Sequence, residues 1–450
     1  MWRSLGEAMR RNRMPIIAAQ CAVVAVYLFL LTVPAFSPLP ARDARLIESL
    51  TLVAQFAFWG IWWPFVIIMT LFAGRLWCGV LCPEGAITEL ASRHGLAIPI
   101  PRWIRWSAWP FVAFVATTVY GQLISVYEYP KAALLILGGS TVAAAGIGFV
   151  YGRGKRVWCR YLCPVSGVFG LLARFSALRF RVDRIQWGRA PRLRAVDCPT
   201  LVDIARMRSA AQCHLCSRCS GHRGSVALER RPLGEEVRAL TEREFSPWET
   251  RLLIFGMIGL ATGAFQWSAS PWFVAAKQAI ATWLIERDSF WLLGDDVPWW
   301  LLTNYPGAHD VFTPLDGLLI VCYLAAAAGL LGGWLAMCLR FAASALHGRR
   351  DASAAHLAYT LVPFAGVGLF LGLSMLTATM LKAEGLILAW LPHARALLLA
   401  LGCGWSLWLA WRISGLRVGT TALRRAVCVA ALAVGMLPAL FAWVMLFYSW

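Results

Sequence analysis

The sequence predicts an all-α polytopic membrane protein with about nine transmembrane helices. Of its 450 residues, 59% are hydrophobic and only 14% are charged, and the mean hydropathy is +0.63. These values lie outside the range of soluble globular proteins. A helix of about 20 apolar residues crosses the hydrocarbon core of a bilayer. Nine stretches of about that length are 15–36, 51–73, 103–127, 132–151, 252–267, 318–337, 354–381, 394–411 and 427–448.

The first apolar stretch follows Arg10, Arg11 and Arg13, as the core of a signal peptide would. It is longer than a typical signal core, and no A-x-A cleavage site precedes Pro38. We therefore expect an uncleaved anchor.

The net charge of +19 indicates membrane topology, because basic residues are retained on the cytoplasmic side of short loops. With the N-terminus in the cytoplasm, all but seven of the 42 Lys and Arg lie on cytoplasmic segments. Nine crossings then place the C-terminus outside. The expected partner of the basic surface is membrane lipid, so no nucleic acid is needed to explain the charge. The seven outward residues are Arg42, Arg45, Lys131, Lys277, Arg287, Lys382 and Arg395.

An internal repeat divides the chain. The motif RLWCGVLCP at 75–83 recurs as RVWCRYLCP at 156–164, and each copy follows a two-span hairpin. We predict three regions: duplicated hairpins at 1–178, a cytoplasmic polar segment at 179–249, and a C-terminal transmembrane region at 250–450.

The outward loop of the third region, 268–313, is rich in Trp. Its first half predicts an interfacial amphipathic helix on the lipid surface. His309 and Asp310 could accept protons from a quinol, but a solvated pair is the expected role.

The polar segment contains Cys213, Cys216 and Cys219 at the CxxCxxC spacing of an iron-sulfur ligand loop, but Arg223 stands where a fourth cysteine would follow. In two-cluster ferredoxins each run CxxCxxCxxxCP gives its last cysteine to the other cluster. The upstream pair Cys198-Pro199 is the end of such a run.

The other ligand positions of that upstream run fall at Gly188, Pro191 and Arg194. With Arg223, these four absent ligands belong to one cluster, and the four retained ones belong to the other. We therefore predict that one [4Fe-4S] cluster is bound by Cys198, Cys213, Cys216 and Cys219. Four thiolates also suit a zinc ion, which is the alternative.

The repeated motifs contribute Cys78 and Cys82, and Cys159 and Cys163. If each span continues helically through its motif, the spacing of four places both cysteines on one face. The prolines predict new helices starting at Pro83 and Pro164, and a helix N-terminus lowers a thiol pKa. These four are candidate catalytic thiolates or ligands of a second metal or cluster, and they could form one four-sulfur site. Isolated cysteines have no assigned role beyond packing: Cys21, Cys322, Cys338, Cys403 and Cys428.

The combination of two CxxxCP motifs with a ferredoxin-like segment resembles the NapH/NosR/CcoG group of bacterial membrane polyferredoxins, over roughly residues 15–267. The resemblance implies electron transfer at the bacterial cytoplasmic (inner) membrane, with a cluster at Cys198, Cys213, Cys216 and Cys219 and redox or metal chemistry at the repeated motifs.

We expect an electron-transfer protein between a quinol or cytoplasmic donor and a redox partner, which is a partner protein or the quinone pool. One alternative is a thiolate-based copper reductase or an assembly factor for a respiratory metalloenzyme, since thiolates favour Cu(I). Another is a transporter whose cluster senses redox state, although few intramembrane charges mark an ion path.

Overall fold

The computed structural model describes residues 1–41, 44–190, 196–241, 244–346, 350–417 and 419–449. It confirms an all-α polytopic membrane fold with two very small sheets. Within those ranges eight helices are long and apolar enough to cross a membrane. They are Arg13–Phe36, Leu50–Ala73, Pro130–Tyr151, Pro247–Ala269, Pro314–Ser344, Val362–Ala383, Leu391–Ser414 and Ala422–Tyr448.

Two predicted spans differ from the structure. The third is the helix Trp109–Leu123, whose 15 residues extend about 22 Å, less than a hydrocarbon core of about 30 Å. It begins next to Pro110 and ends before Ser125, whose φ of 49° is not helical. The predicted span 354–381 is two helices, Arg350–Tyr359 and Val362–Ala383, because a proline near the second start interrupts the hydrogen-bond ladder.

The remaining elements are short. Helices outside the eight spans are Trp2–Arg11, Leu76–Val80, Pro83–Arg93, Trp109–Leu123, Val157–Tyr161, Ser166–Phe175, Arg184–Arg189, Glu235–Ala239, Pro271–Ile285 and Arg350–Tyr359. Single 3-10 turns lie at Leu46–Glu48, Ile204–Arg206, His222–Gly224 and Pro306–Ala308. Strands are β1 (Leu178–Val182), β2 (Val226–Arg230), β3 (Asn304–Tyr305) and β4 (Asp310–Val311).

The chain forms two compact units, and the three-region division by sequence stays a prediction. The first unit comprises Met1–Leu30, Phe65–Ala113 and Leu137–Glu244, and it contains every patterned cysteine. Its polar segment is built on β1 and β2, which pair antiparallel with Phe180 opposite Leu228. These two side chains lie in a small apolar core with Ile204, Leu215 and Val226.

The N-terminal helix Trp2–Arg11 packs on this ribbon. A Cβ at Gly6 would lie 2.9 Å from Oγ of Ser220 and 3.0 Å from Cβ of Leu228. Met9 continues the contact, with its Sδ 3.4 Å from Oγ of Ser217. A helix that precedes the first span is therefore part of the cysteine-bearing lobe.

The second unit comprises Leu31–Pro64, Phe114–Ile136 and Phe245–Trp450. The predicted interfacial segment forms the helix Pro271–Ile285, on which Trp272 and Trp283 are exposed. His309 is exposed, whereas Asp310 is half-buried and accepts a hydrogen bond of 2.7 Å from the Tyr129 hydroxyl. The expectation of a solvated pair therefore holds for His309 and is wrong for Asp310.

Candidate functional site

Each CxxxCP motif forms a short helix of its own. The first span ends at Ala73, Gly74 adopts φ 71°, and Leu76–Val80 follows as a separate helix. The second copy repeats this arrangement with Gly154 at φ 68° and the helix Val157–Tyr161. The expectation that the spans continue helically to the second cysteine is wrong, because the left-handed glycine ends the turn before the motif begins.

The helices after the motifs start differently. Cys82 is the N-cap of Pro83–Arg93, as predicted, whereas the second helix starts at Ser166, two residues beyond Pro164. The cysteine backbones nevertheless match. The amide of Cys82 donates to the Trp77 carbonyl at 2.9 Å, and that of Cys163 donates to the Trp158 carbonyl at 3.0 Å.

The two copies are joined crosswise by their first residues. Arg156 donates from Nη1 to the carbonyl oxygen of Cys78 at 2.7 Å. Arg75 donates from Nη2 to Oγ of Ser166 at 3.1 Å, and this hydroxyl donates to the carbonyl of Cys159 at 2.9 Å. The two motifs are therefore related by an approximate two-fold arrangement in which each arginine reaches the other copy.

The second partner of each arginine differs between the copies. Arg156 pairs with the buried carboxylate of Glu89, with its Nη2 2.9 Å from Oε2. The position equivalent to Glu89 is Gly170, where a Cβ would lie 3.3 Å from the Ala211 carbonyl oxygen. That carbonyl accepts from Nη1 of Arg75 at 2.8 Å. The second partner is thus a carboxylate for Arg156 and a main-chain carbonyl for Arg75.

The four cysteines of the repeat, which we call the repeat thiols (Cys78, Cys82, Cys159 and Cys163), lie within range of each other's charge. Burial raises the pKa of Cys163 well above its usual range, and Glu84, Cys159, Cys82 and Cys78 raise it further. Burial likewise raises the pKa of Cys159 to about 12. The expectation of lowered pKa values concerns Cys82 and Cys163, and it is wrong for both, because burial raises the pKa of each thiol well above its usual range.

Glu84 is a buried carboxyl beside the repeat thiols that the sequence reasoning missed. It accepts hydrogen bonds from Oγ of Ser140 at 2.6 Å and from Nε1 of Trp158 at 3.1 Å. Burial raises the pKa of this carboxyl. An acidic residue directly after the cysteine-proline pair Cys82-Pro83 was the available signal.

The remaining patterned cysteines, the cluster thiols (Cys198, Cys213, Cys216 and Cys219), form a second group. The pKa of Cys219 is raised first by burial and then by the other three cluster thiols. Leu215 and Ser217, which lie in the loop between Cys213 and Cys219, adopt φ values of 49° and 59°, respectively. Such left-handed residues wind the loop tightly and point successive backbone amides to one side.

The surroundings fit an iron-sulfur group. Three buried polar atoms beside the thiols have no protein partner within the described ranges: Nε of Arg75, Nδ1 of His214 and Oγ of Ser220. Groups of this kind can donate to cluster sulfur atoms. Arg223, by contrast, stacks its guanidinium over Trp187 at 4.8 Å from the ring centroid, and Pro191 and Arg194 lie outside the described residues.

A zinc ion needs every thiolate sulfur about 2.3 Å away. No three His, Cys, Asp or Glu side chains in the described part of the chain converge closely enough to hold one ion.

The two thiol sets meet at Gly79. A Cβ at this position would overlap the carbonyl oxygen of His214 and would lie 3.0 Å from the amide nitrogen of Cys216. At the second copy, the backbone amide of Arg156 donates to the Pro199 carbonyl at 2.6 Å, and Nζ of Lys155 donates to the Cys198 carbonyl at 3.1 Å. Each half of the cluster-thiol set is therefore seated on one copy of the repeat.

Comparison with known proteins agrees with this geometry. The sequence model of a family described as a 4Fe-4S binding domain matches residues 55–107 and 136–183, which include all four repeat thiols. The protein NirI of Paracoccus denitrificans is 30% identical over 182 residues, which is 35% of this chain and 26% of that protein. This region of the chain is similar to the NapH/NosR-like membrane ferredoxins.

Other members of the group are similar over comparable lengths. The ferredoxin-type protein NapH of Haemophilus influenzae is 24% identical over 34% of this chain and 57% of its own length. The putative electron transport protein YccM of Escherichia coli is 22% identical over 45% of this chain and 65% of its own length. The chain thus spans from about a quarter to just under two thirds of these relatives. No solved structure matches it significantly.

Proposed function

We propose that this protein is a membrane-bound iron-sulfur electron-transfer protein that passes single electrons between a quinol or cytoplasmic donor and a redox partner. The observation that carries the proposal is the close backbone contact at Gly79, where the CxxCxxC loop of the cluster thiols rests on the helix that bears Cys78. Two redox-capable groups in contact provide a path for electrons. The names of the relatives, ferredoxin-type and electron transport protein, support the same conclusion.

The cluster thiols are the proposed ligands of one [4Fe-4S] cluster. A bound cluster supplies one-electron chemistry, with a potential set by hydrogen bonds, charge and solvent exposure. The protein contributes a buried all-sulfur ligand set, the wound loop at Leu215 and Ser217, and the unpartnered donors of His214 and Ser220.

The repeat thiols are the proposed ligands of a second centre. The matched 4Fe-4S family spans these residues, which favours an iron-sulfur group there. Buried thiols with raised pKa values become thiolates when they coordinate a metal, because the metal charge replaces the proton.

The proposed location is the bacterial inner membrane, with the N-terminus and the cluster thiols in the cytoplasm and the C-terminus outside. This topology needs a ninth crossing besides the eight long helices, and we assign it to the shorter helix Trp109–Leu123 and the residues that flank it. Reporter fusions at Arg11 and Tyr448 should give opposite accessibility, and the same side for both would contradict the proposal.

Anaerobic purification with iron and sulfide analysis and EPR tests the function. We expect iron and acid-labile sulfide in the wild type, with the cluster signal lost in Cys213→Ala and retained in Cys78→Ala. Stoichiometric zinc without sulfide would refute the proposal. Cys82→Ala and Cys163→Ala should abolish electron transfer and preserve the signal of the cluster thiols, and full turnover in both would refute a role for the repeat thiols.

The second candidate is a copper reductase. Sulfur ligands without a nitrogen ligand suit Cu(I), and the repeat thiols, of which Cys78 and Cys159 are buried, provide four sulfur atoms. If electron transfer in the purified protein requires copper, and stoichiometric copper is lost in Cys82→Ala, the reductase is correct. Copper-independent transfer would favour the electron carrier.

A further inference from the structure

The contact at Gly79 is closer than any side chain would permit. The residue lies between Cys78 and Cys82, and the backbone of His214 to Cys216 rests directly on it. Since a Cβ would overlap a main-chain carbonyl, which cannot rotate away, the loop would have to move. The absence of a side chain at this position therefore sets the separation of the two thiol sets.

The repeat is symmetric in its thiols and asymmetric at this position. The residue equivalent to Gly79 in the second copy is Arg160, whose guanidinium lies 5.7 Å from the centroid of the Tyr161 ring. The second copy thus has a side chain at the position where the first copy has none. The close approach of the CxxCxxC loop is a feature of the first copy.

Two buried arginines extend from the repeat to both thiol sets. Arg156 donates through Nη1 to the Cys78 carbonyl and through its backbone amide to the Pro199 carbonyl. Arg75 donates through Nη1 to the Ala211 carbonyl, just ahead of the CxxCxxC loop, and through Nη2 towards the second copy. Each arginine therefore contacts both the repeat and a segment next to the cluster thiols, and its positive charge lies near both sets of thiols.

The carboxylate of Glu89 holds the CxxCxxC loop against the repeat. Glu89 pairs with Arg156 and also with Arg218, which lies between Cys216 and Cys219. Arg13 adds a third contact, with its Nη2 3.7 Å from Oε1 of Glu89. The loop is thus pinned to the same arginine that bonds to the Cys78 carbonyl.

We propose that Gly79, flanked by Arg75 and Arg156, is the junction through which an electron passes between the cluster thiols and the first copy of the repeat. The inference rests on the proposed function. A centre held by the cluster thiols would supply the electron and be oxidised, and a centre held by the repeat thiols would accept it and be reduced. No bond forms or breaks. Gly79 keeps the path short, and the arginines are positioning residues that stabilise the added negative charge in either set.

The test compares Gly79→Ala with Gly95→Ala in the full-length protein, purified anaerobically and reduced with dithionite. A Cβ at Gly95 would overlap the Gly152 carbonyl oxygen, so this control has a similar backbone clash away from the loop. In EPR we expect magnetic interaction between the two reduced centres in the wild type and in Gly95→Ala. We expect Gly79→Ala to retain its iron and lose the interaction. An unchanged interaction in Gly79→Ala would overturn the proposal.

Arg218→Lys provides a second test if Gly79→Ala fails to bind iron. It preserves the charge and removes the forked geometry by which Arg218 holds Glu89, so the interaction should weaken without loss of iron. An interaction equal to that of the wild type would overturn the proposal.

The arginines are tested by redox titration. Arg156→Met removes a buried positive charge and should lower the midpoint potentials of both signals. Arg206→Met removes a charge on a side chain that is 88% exposed and should leave both potentials unchanged, because water screens it. A shift in the midpoint potential of only one signal would overturn the proposal that the charge of Arg156 acts on both centres. A wild type without iron-sulfur signals would instead refute the proposed function itself, so the two failures are distinguishable.

Discussion

Arg156 in the second CxxxCP copy donates a hydrogen bond to the carbonyl of Cys78 in the first copy, with Nη1 and the oxygen 2.7 Å apart. Both partners are buried. A guanidinium removed from water needs full compensation, and Arg156 obtains it from this carbonyl and from Glu89. The two copies are consequently held in a defined relation by one charged group, and several expected outcomes depend on it.

Replacing Glu89 with Gln should destabilise the cysteine-bearing unit. Glu89 is the carboxylate shared by Arg156 and Arg218, and removing one partner of a buried ion pair typically costs about 3–5 kcal/mol. Thermal unfolding in detergent measures the loss. An unfolding temperature equal to that of the wild type would show that Arg156 finds another partner.

The same carboxylate predicts a dependence of stability on pH. Burial raises the pKa of Glu89, but Arg156 and Arg218 outweigh it and hold the pKa below the ordinary 4.5. Because the folded pKa is depressed, the contribution of Glu89 is complete above about pH 4.5 and is lost as the pH falls through the folded value. We expect the stability difference between wild type and Glu89→Gln to shrink with acidification over that range. A constant difference would contradict the assignment.

Gly148 allows the helix Pro83–Arg93 to pack closely on the span Pro130–Tyr151. A Cβ at Gly148 would lie 2.6 Å from the Thr88 carbonyl oxygen, whereas one at Gly146 would meet nothing within 4 Å. Gly148→Ala should therefore cost about 1–3 kcal/mol through overpacking, and Gly146→Ala should be neutral or slightly stabilising through helix propensity. Denaturation of both variants in detergent decides this, and equal effects would refute the close approach.

The N-terminal helix should protect the cluster thiols. Gly6→Val would place bulk against Ser220 and Leu228, next to Cys219, while Ala8→Val adds similar bulk on the exposed face. We expect faster iron loss to a chelator in Gly6→Val than in Ala8→Val, measured by absorbance after exposure to air. Equal rates would show that the helix does not shield the site.

Glu236 should hold the segment that leads into Cys213. Its carboxylate accepts from the Ala210 amide at 3.0 Å and pairs with Arg231 at 2.6 Å. Glu236→Gln should reduce iron retention and the unfolding temperature, because Arg231 is left without its buried counter-charge. The neighbouring Glu235, which is partly exposed and 3.5 Å from Arg179, gives the matched variant Glu235→Gln, for which we expect little change. Similar losses in both would contradict the role of Glu236.

The sequence predicted which helices are present better than it predicted where they begin and end. Hydropathy located eight long helices because about 20 apolar residues have no alternative to crossing a bilayer. It overestimated the stretch that became Trp109–Leu123 and joined two helices across Pro363, since composition does not register where a hydrogen-bond ladder is interrupted. The predicted limits 51–73 and 132–151 agree with helices that end at Ala73 and Tyr151, just before the left-handed glycines Gly74 and Gly154.

The electrostatics of the site were the least predictable part. A helix N-terminus was expected to lower the thiol pKa of Cys163, and burial raises it instead, because desolvation depends on all surrounding chains. Glu84 and Glu89 carry no motif, and their roles follow from partners distant in the sequence, such as Ser140 and Arg156.

The sequence by itself determined the polytopic helical class, the internal repeat and the two groups of four cysteines, because bilayer thickness and ligand spacing are local constraints on the chain. The tertiary structure decided that Arg75 and Arg156 exchange partners between the copies and that the CxxCxxC loop rests on Gly79. These relations join residues more than 70 positions apart, and they depend on packing and on the compensation of buried charge, which no local pattern encodes.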